Sequence, residues 1–174
     1  DIDETERPAQ IAIIGRPNVG KSALTNMILG EERSIVSGVP GTTRDALDTP
    51  FTFEEQDAVL VDTAGIRRRG AIVPGIERYS VLRAVRAIDQ CDVAILVIDA
   101  AQIATDQDLH IAGQVMESFK GAVVAVNKWD LMEEPTIRDE RVFRRRILNR
   151  LRFMSSTPVV FISALEGSGI ERLL

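Results

Sequence analysis

Residues Gly15–Ser22 read Gly-Arg-Pro-Asn-Val-Gly-Lys-Ser, the pattern G-x-x-x-x-G-K-S. The apolar run Ile11–Ile14 precedes it and the helix-like stretch Ala23–Leu29 follows it. Strand, glycine-punctuated loop and helix in that order make a backbone cradle for an anion. Glycine lets consecutive N–H groups turn inward, and the start of the helix adds a positive dipole end. Lys21 supplies a point charge for the outer phosphates, and the Ser22 hydroxyl suits magnesium. The loop residues Gly15, Arg16, Pro17, Asn18, Val19, Gly20, Lys21 and Ser22 are therefore expected to hold the phosphates of a nucleoside triphosphate.

Outward from this loop, apolar runs alternate with helical patterns. Strands are expected at Gln10–Ile14, Asp48–Phe53, Ala58–Val61, Val93–Ile98, Val123–Val126 and Val159–Ile162. Helices are expected at Lys21–Leu29, Ile76–Asp89, Gln107–Phe119 and Asp139–Phe153, with a last one from Gly169. Ile76, Tyr79, Leu82, Val85 and Ile88 recur every three residues and suggest a stripe facing a sheet. Ala94–Ile98 and Val123–Val126 are apolar throughout, as central strands buried on both faces are. The alternation predicts an α/β three-layer sandwich: a mostly parallel, six-stranded sheet with helices on both faces. Ligands of such sheets bind beyond the carboxyl ends of the strands.

The 174 residues suffice for one domain with its own core. Residues 1–8 are acidic and polar and read as a linker tail, with the folded domain at 9–174 and its last helix cut short. Net charge is −5 and 45% of residues are hydrophobic, an ordinary globular balance. Cys91 is the single cysteine, which excludes an internal disulfide, fits a reducing cytoplasm and reads as packing. His110 is the single histidine, which argues against a histidine metal cluster and a Ser-His-Asp triad. No apolar run approaches the ~20 residues that a membrane span needs, so no membrane partner is expected.

Three further strand ends carry chemistry. Asp62-Thr63-Ala64-Gly65 follows Val59–Val61. A carboxylate there is placed for magnesium, and Gly65 brings a backbone N–H close to a terminal phosphate without a side chain in the way. Asn127-Lys128-Trp129-Asp130 follows Val123–Val126 and points to guanine. Guanine offers N1–H and an N2 amine side by side, and the Asp130 carboxylate accepts both. Adenine would leave that carboxylate unpaired, a discrimination on the order of 10⁴–10⁵. The Lys128 stem can lie along the base, Asn127 can tether the loop, and Trp129 reads as packing. After Val159–Ile162 comes Ser163-Ala164-Leu165, with the Ala164 N–H expected to donate to guanine O6. Between these lies Pro40-Gly41-Thr42-Thr43-Arg44-Asp45. Thr43, in preference to Thr42, is the expected third magnesium ligand, ordered by the last phosphate. Ile66–Gly75, with Arg67-Arg68-Arg69, reads as a second switch.

Together these stretches resemble the Ras-like guanosine triphosphatases, all sharing the P-loop NTPase fold. More narrowly, Gly-Arg-Pro-Asn-Val-Gly-Lys-Ser, Pro-Gly-Thr-Thr-Arg-Asp, Asp-Thr-Ala-Gly-Ile-Arg-Arg and Asn-Lys-Trp-Asp resemble the TrmE–Era–EngA group. Glu77-Arg-Tyr-Ser-Val-Leu-Arg-Ala and Val97-Ile-Asp-Ala are similar to the second GTPase domain of the EngA (Der) family. The resemblance implies a GTP-hydrolysing switch with magnesium, Lys21, Thr43 and Gly65 acting on the terminal phosphate. It further implies neighbouring GTPase and KH-like domains, a ribosomal subunit or ribosomal RNA as partner, and a role in large-subunit assembly. A potassium ion held in part by Asn18 is implied by the same likeness. Ile66 departs from the Ras pattern, in which a glutamine orients the attacking water. Slow intrinsic hydrolysis is the expectation. A nucleotide-sensing module and the GTPase domain of a TrmE-like tRNA-modification enzyme stand as alternatives.

The stretch Arg141–Arg152 holds six arginines and no acid. Val142, Ile147 and Leu151 are expected to face the core, with most arginines outward. Such a face is either merely solvated or a contact for RNA phosphates.

Overall fold

The computed structural model describes residues 7–30, 48–68, 77–133 and 139–174. Pro40–Asp45, with Thr42 and Thr43, and most of the Ile66–Gly75 segment lie outside the described residues. So do Asp1–Glu6 of the acidic start; of its last two residues, Arg7 pairs with Asp92 at 2.6 Å and Pro8 is buried.

Six strands form one sheet: β1 (Ala9–Ile14), β2 (Thr49–Phe53), β3 (Gln56–Leu60), β4 (Val93–Asp99), β5 (Gly121–Asn127) and β6 (Val159–Phe161). Their order is β2-β3-β1-β4-β5-β6, with every pairing parallel except β2 against β3. That hairpin turns at Glu54 and Glu55, both with positive φ (46° and 66°), the paired left-handed conformation that fits a two-residue turn to strand twist. The helices are α1 (Lys21–Gly30), α2 (Thr63–Arg68), α3 (Glu77–Gln90), α4 (Asp106–Glu117), α5 (Glu140–Arg150) and α6 (Ile170–Leu173).

The strand alternation divides the apolar residues between two cores. Ala12, Ile14, Ala94, Leu96, Val124 and Val126 face α3, α4 and α5, through Ile88, Ala112, Val115, Phe143 and Ile147. Ile13, Ile95, Val97, Ala125 and Val160 face α1 and α6, through Leu24, Ile28, Ile170 and Leu173. The sheet is thus buried on both sides, which is why its central strands read as unbroken apolar runs.

Two helix phases differ from the sequence reading. Leu82 is 62% exposed, whereas Ala87 and Ile88 are buried. A strict three-residue repeat drifts around a helix of 3.6 residues per turn, so one face cannot hold the whole proposed stripe. Ile76 is outside the described residues. In α5, Val142 is 45% exposed and Phe143 takes the core position, in register with Ile147 four residues on. Ile147 and Leu151 are buried as expected. The helix also stops at Arg150, with a 3-10 turn at Arg152–Met154.

Candidate nucleotide site

Because β1, β3, β4, β5 and β6 run in parallel, their carboxyl ends lie along one edge. Gly15, Asp62, Asp99, Asn127 and Ser163 all fall there. The strand order reverses around β1, so the Gly15–Ser22 loop occupies the switch point at which such sheets bind ligands.

The loop is held from within and from outside. The Lys21 ammonium donates to the Gly15 carbonyl and, at 3.0 Å, to that of Arg16. The Ser22 hydroxyl meets the Ile66 carbonyl at 3.1 Å, joining α1 to α2. Gly20 has φ +102°, and a β-carbon there would collide with the Asn127 side-chain amide. Only glycine allows that approach without strain. Asn18 also takes a left-handed conformation, φ 66°, in an exposed position. Arg16 keeps its backbone in the loop, but its guanidinium turns toward α4. There Nε meets Asp108 Oδ1 at 3.1 Å and Nη1 meets Gln102 Oε1 at 2.9 Å.

Asn127 knits three segments together. Its Nδ2 donates to the Val19 carbonyl at 2.8 Å, and its Oδ1 accepts the Ala164 N–H at 2.9 Å. The Ala164 N–H, the expected donor to guanine O6, thus has the Asn127 oxygen as its partner here, which fixes the loop after β6. Lys128, left-handed with φ 63°, reaches back to the Asn18 carbonyl at 2.8 Å and to Asp99 Oδ2 at 3.0 Å. The loop after β5 and the loop after β1 are therefore in direct contact. Trp129 packs edge-on to Phe143 (centroids 5.0 Å apart) and against Phe161 (4.6 Å). Its backbone N–H donates to the Ile162 carbonyl at 3.2 Å. Ser163 is buried, and its Oγ accepts the Glu166 N–H at 3.2 Å.

On the phosphate side, Asp62 sits at φ 54° with its N–H on Asp48 Oδ1 at 2.9 Å. Thr63 begins α2, and its hydroxyl lies 2.6 Å from that of Thr49. Ala64 and Gly65 continue that helix, which was not among the helices expected from sequence. Ile66 is 5% exposed and packs in the α1 core, so tertiary contact overrides the low helix propensity of Gly65. A cavity of about 450 Å³, lined by Gly15, Asn18, Gly20, Lys21, Ser22 and Ile66 among others, opens beside the loop.

A family model described as the 50S ribosome-binding GTPase matches residues 10–128. The chain belongs to that family. GTPase Der of Chloroflexus aurantiacus is 52% identical over 171 residues, 98% of this chain and 38% of that protein. GTPase Der of Thermomicrobium roseum is 55% identical over 172 residues, again 98% of this chain and 37% of the relative. The chain thus spans well under half the length of the relatives it matches. Among solved structures, a variant of Aquifex aeolicus Era bound to GDP and AlF4⁻ superposes with a TM-score of 0.71. It is 28% identical, with 96% of this chain and 55% of that one covered. The resemblance to the EngA (Der) family and the P-loop, mostly parallel six-stranded sandwich are both borne out.

Beyond its nucleotide loops, this member of the ribosome-binding GTPases has three features that sequence spacing did not reveal. The first is the buried ion pair of Arg16 with Asp108, a residue with 0% exposure that also caps α4 through Thr105. The second is the Asp99–Lys128 pair. The third is Arg83 of α3, whose guanidinium lies beside Gly65. Cys91 is buried, as its packing role requires, and burial pushes its thiol up from 9.0 to about 11. Of the α5 arginines, Arg144 donates to the Val159 carbonyl and Arg150 to the Ala104 carbonyl, while Arg141, Arg145 and Arg146 are exposed. Among the described residues, no helix is long and apolar enough to cross a membrane.

Proposed function

We propose that this domain is a guanine-nucleotide switch that binds GTP with magnesium and hydrolyses it slowly to GDP and phosphate. The observation that carries the reading is the Asn127 side chain, which ties Val19 of the phosphate loop to Ala164 of the base-side loop. That tie supports the reading of phosphate cradle and base reader as one site. Asp130, directly after Trp129, would accept both guanine donors. Lys21 and the loop N–H groups would stabilise the charge that develops as water attacks the terminal phosphorus and the bond to the bridging oxygen breaks, its electron pair leaving with GDP.

The donors fit magnesium: a serine hydroxyl at the head of α1 and the Asp62 carboxylate at the end of β3 are hard oxygen ligands. Thr43 is the proposed third. When bound, the ion neutralises phosphate charge. Ile66 offers no hydrogen bond to a water, which supports low intrinsic turnover. We further propose a potassium ion near Asn18 that offsets the same developing charge. The description of the family as 50S ribosome-binding supports a ribosomal partner for the longer protein, with neighbouring GTPase and KH-like domains and a role in large-subunit assembly.

Single-turnover hydrolysis with GTP and ATP in competition tests the reading. GTP alone should be consumed, faster in potassium than in sodium at equal ionic strength. Equal consumption of ATP would overturn the base assignment, and equal rates in the two salts would remove potassium. Phosphate release that never exceeds the buffer blank, with or without ribosomes, would favour a sensing module.

A further inference from the structure

We infer that Arg83 is a second cation of the triphosphate pocket, one that grips the terminal phosphate and so distinguishes GTP from GDP. The inference rests on the nucleotide reading above and gives a role to a residue that enters the sequence reading only as part of the stretch Glu77-Arg-Tyr-Ser-Val-Leu-Arg-Ala.

A β-carbon on Gly65 would stand 2.6 and 2.8 Å from the two Asp62 carboxylate oxygens and 2.8 Å from Arg83 Nη1. The bare face of this glycine is therefore walled by a carboxylate on one side and a guanidinium on the other. Arg83 also lines a small cavity, about 20 Å³, together with Gly15, Lys21, Asp62 and Ile66. Thus a residue from the middle of α3 reaches the point at which the phosphate loop and the end of β3 meet.

No ion pair within 4.0 Å joins Arg83 to Asp62, and among the described residues Arg83 has no hydrogen-bond or ion-pair partner. Arginine side chains at such half-buried positions ordinarily find a carboxylate, a carbonyl or a ligand anion. Here the nearest ligand-accepting elements are Lys21 and the N–H groups around Gly65, both read as contacts of the last phosphate. GDP lacks that phosphate. An extra planar donor at this end therefore adds affinity for the triphosphate alone, and it supplies positive charge where Ile66 supplies nothing. Arg83 would also couple α3 to the state of the nucleotide, because the guanidinium must follow the phosphate as it leaves.

The test is isothermal calorimetry of the chain with GDP and with a non-hydrolysable GTP analogue, in magnesium. Arg83→Gln should weaken the analogue about 10- to 100-fold and leave GDP within about twofold. Arg83→Lys, which keeps charge but loses the fork, should restore part of the loss. Unchanged affinity for both nucleotides, or an equal loss for both at an unaltered melting temperature, would overturn the role of Arg83. Should Arg83→Gln melt early, the Arg83→Lys ratio of analogue to GDP affinity decides in its place: a ratio equal to that of the native chain counts against the inference. Failure of the native chain to bind either nucleotide would instead defeat the underlying reading of the pocket.

Discussion

The Asn127 side-chain amide and the Val19 carbonyl, 108 residues apart in sequence, meet at 2.8 Å beneath the phosphate loop. With the Ala164 N–H on its other end, Asn127 has its donor and its acceptor both engaged in a 3% exposed setting. Replacing it strands two backbone groups at once. Asn127→Ala is expected to cost about 1–3 kcal/mol in urea unfolding, and to weaken GTP at least about tenfold because both loops lose their common anchor. A stable variant with native affinity would show that the loops hold their positions independently.

On the proposed base assignment, Asp130→Asn exchanges a carboxylate acceptor for an amide donor opposite the guanine edge. Xanthine, which presents an oxygen where guanine presents the amine, becomes the better match. Xanthosine triphosphate should therefore displace GTP as the preferred ligand by orders of magnitude, read by competition binding. Retention of GTP preference would place the base elsewhere.

Asp108 accepts from Arg16 and from the Thr105 N–H and hydroxyl, all inside the protein. Removing this carboxylate leaves a guanidinium that is only 14% exposed without its counter-charge. Asp108→Ala should destabilise the fold by about 3–5 kcal/mol, a larger loss than from any surface pair such as Asp139–Arg141. Equilibrium unfolding of the two variants gives the comparison, and equal small losses would contradict it.

Burial is the main cause that lifts the Cys91 thiol from 9.0 to about 11, against the opposing pull of Lys120. Below pH 9 the proton is bound in both folded and unfolded chains. Between 9 and 11 the unfolded chain sheds it and the folded chain retains it. Stability therefore declines as pH rises through that window, by up to about 3 kcal/mol. Unfolding free energies from pH 8 to 10.5 should fall more steeply for the native chain than for Cys91→Ala, and parallel declines would clear Cys91 of the effect.

What sequence revealed and what it hid divide along physical lines. The placement of Gly20-Lys21-Ser22, Asp62 and Asn127–Asp130 just beyond strands is legible because apolar runs end before each of them, and spacing records that. The buried strands are legible because both faces demand apolar side chains. Helix phase was less so: Val142 and Phe143 are both apolar, and only the packed core selects Phe143. α2 is absent from the helices the sequence led us to expect; Gly65 disfavours helix, and the buried contacts of Ile66 outweigh it. Least visible were long-range polar pairs. Arg16 and Asp108, or Lys128 and Asp99, carry no mutual signal along the chain, and Arg83 sits in a helix whose face toward the pocket depends on how α3 docks.

Trp129 is the chain's only tryptophan, and it stands beside Asp130 between two phenylalanine rings. Indole emission is sensitive to small shifts in its surroundings. The molecule thus carries an optical reporter of its own at the proposed guanine end of the pocket, where ligand arrival is expected to be followed in unlabelled protein on the timescale of mixing.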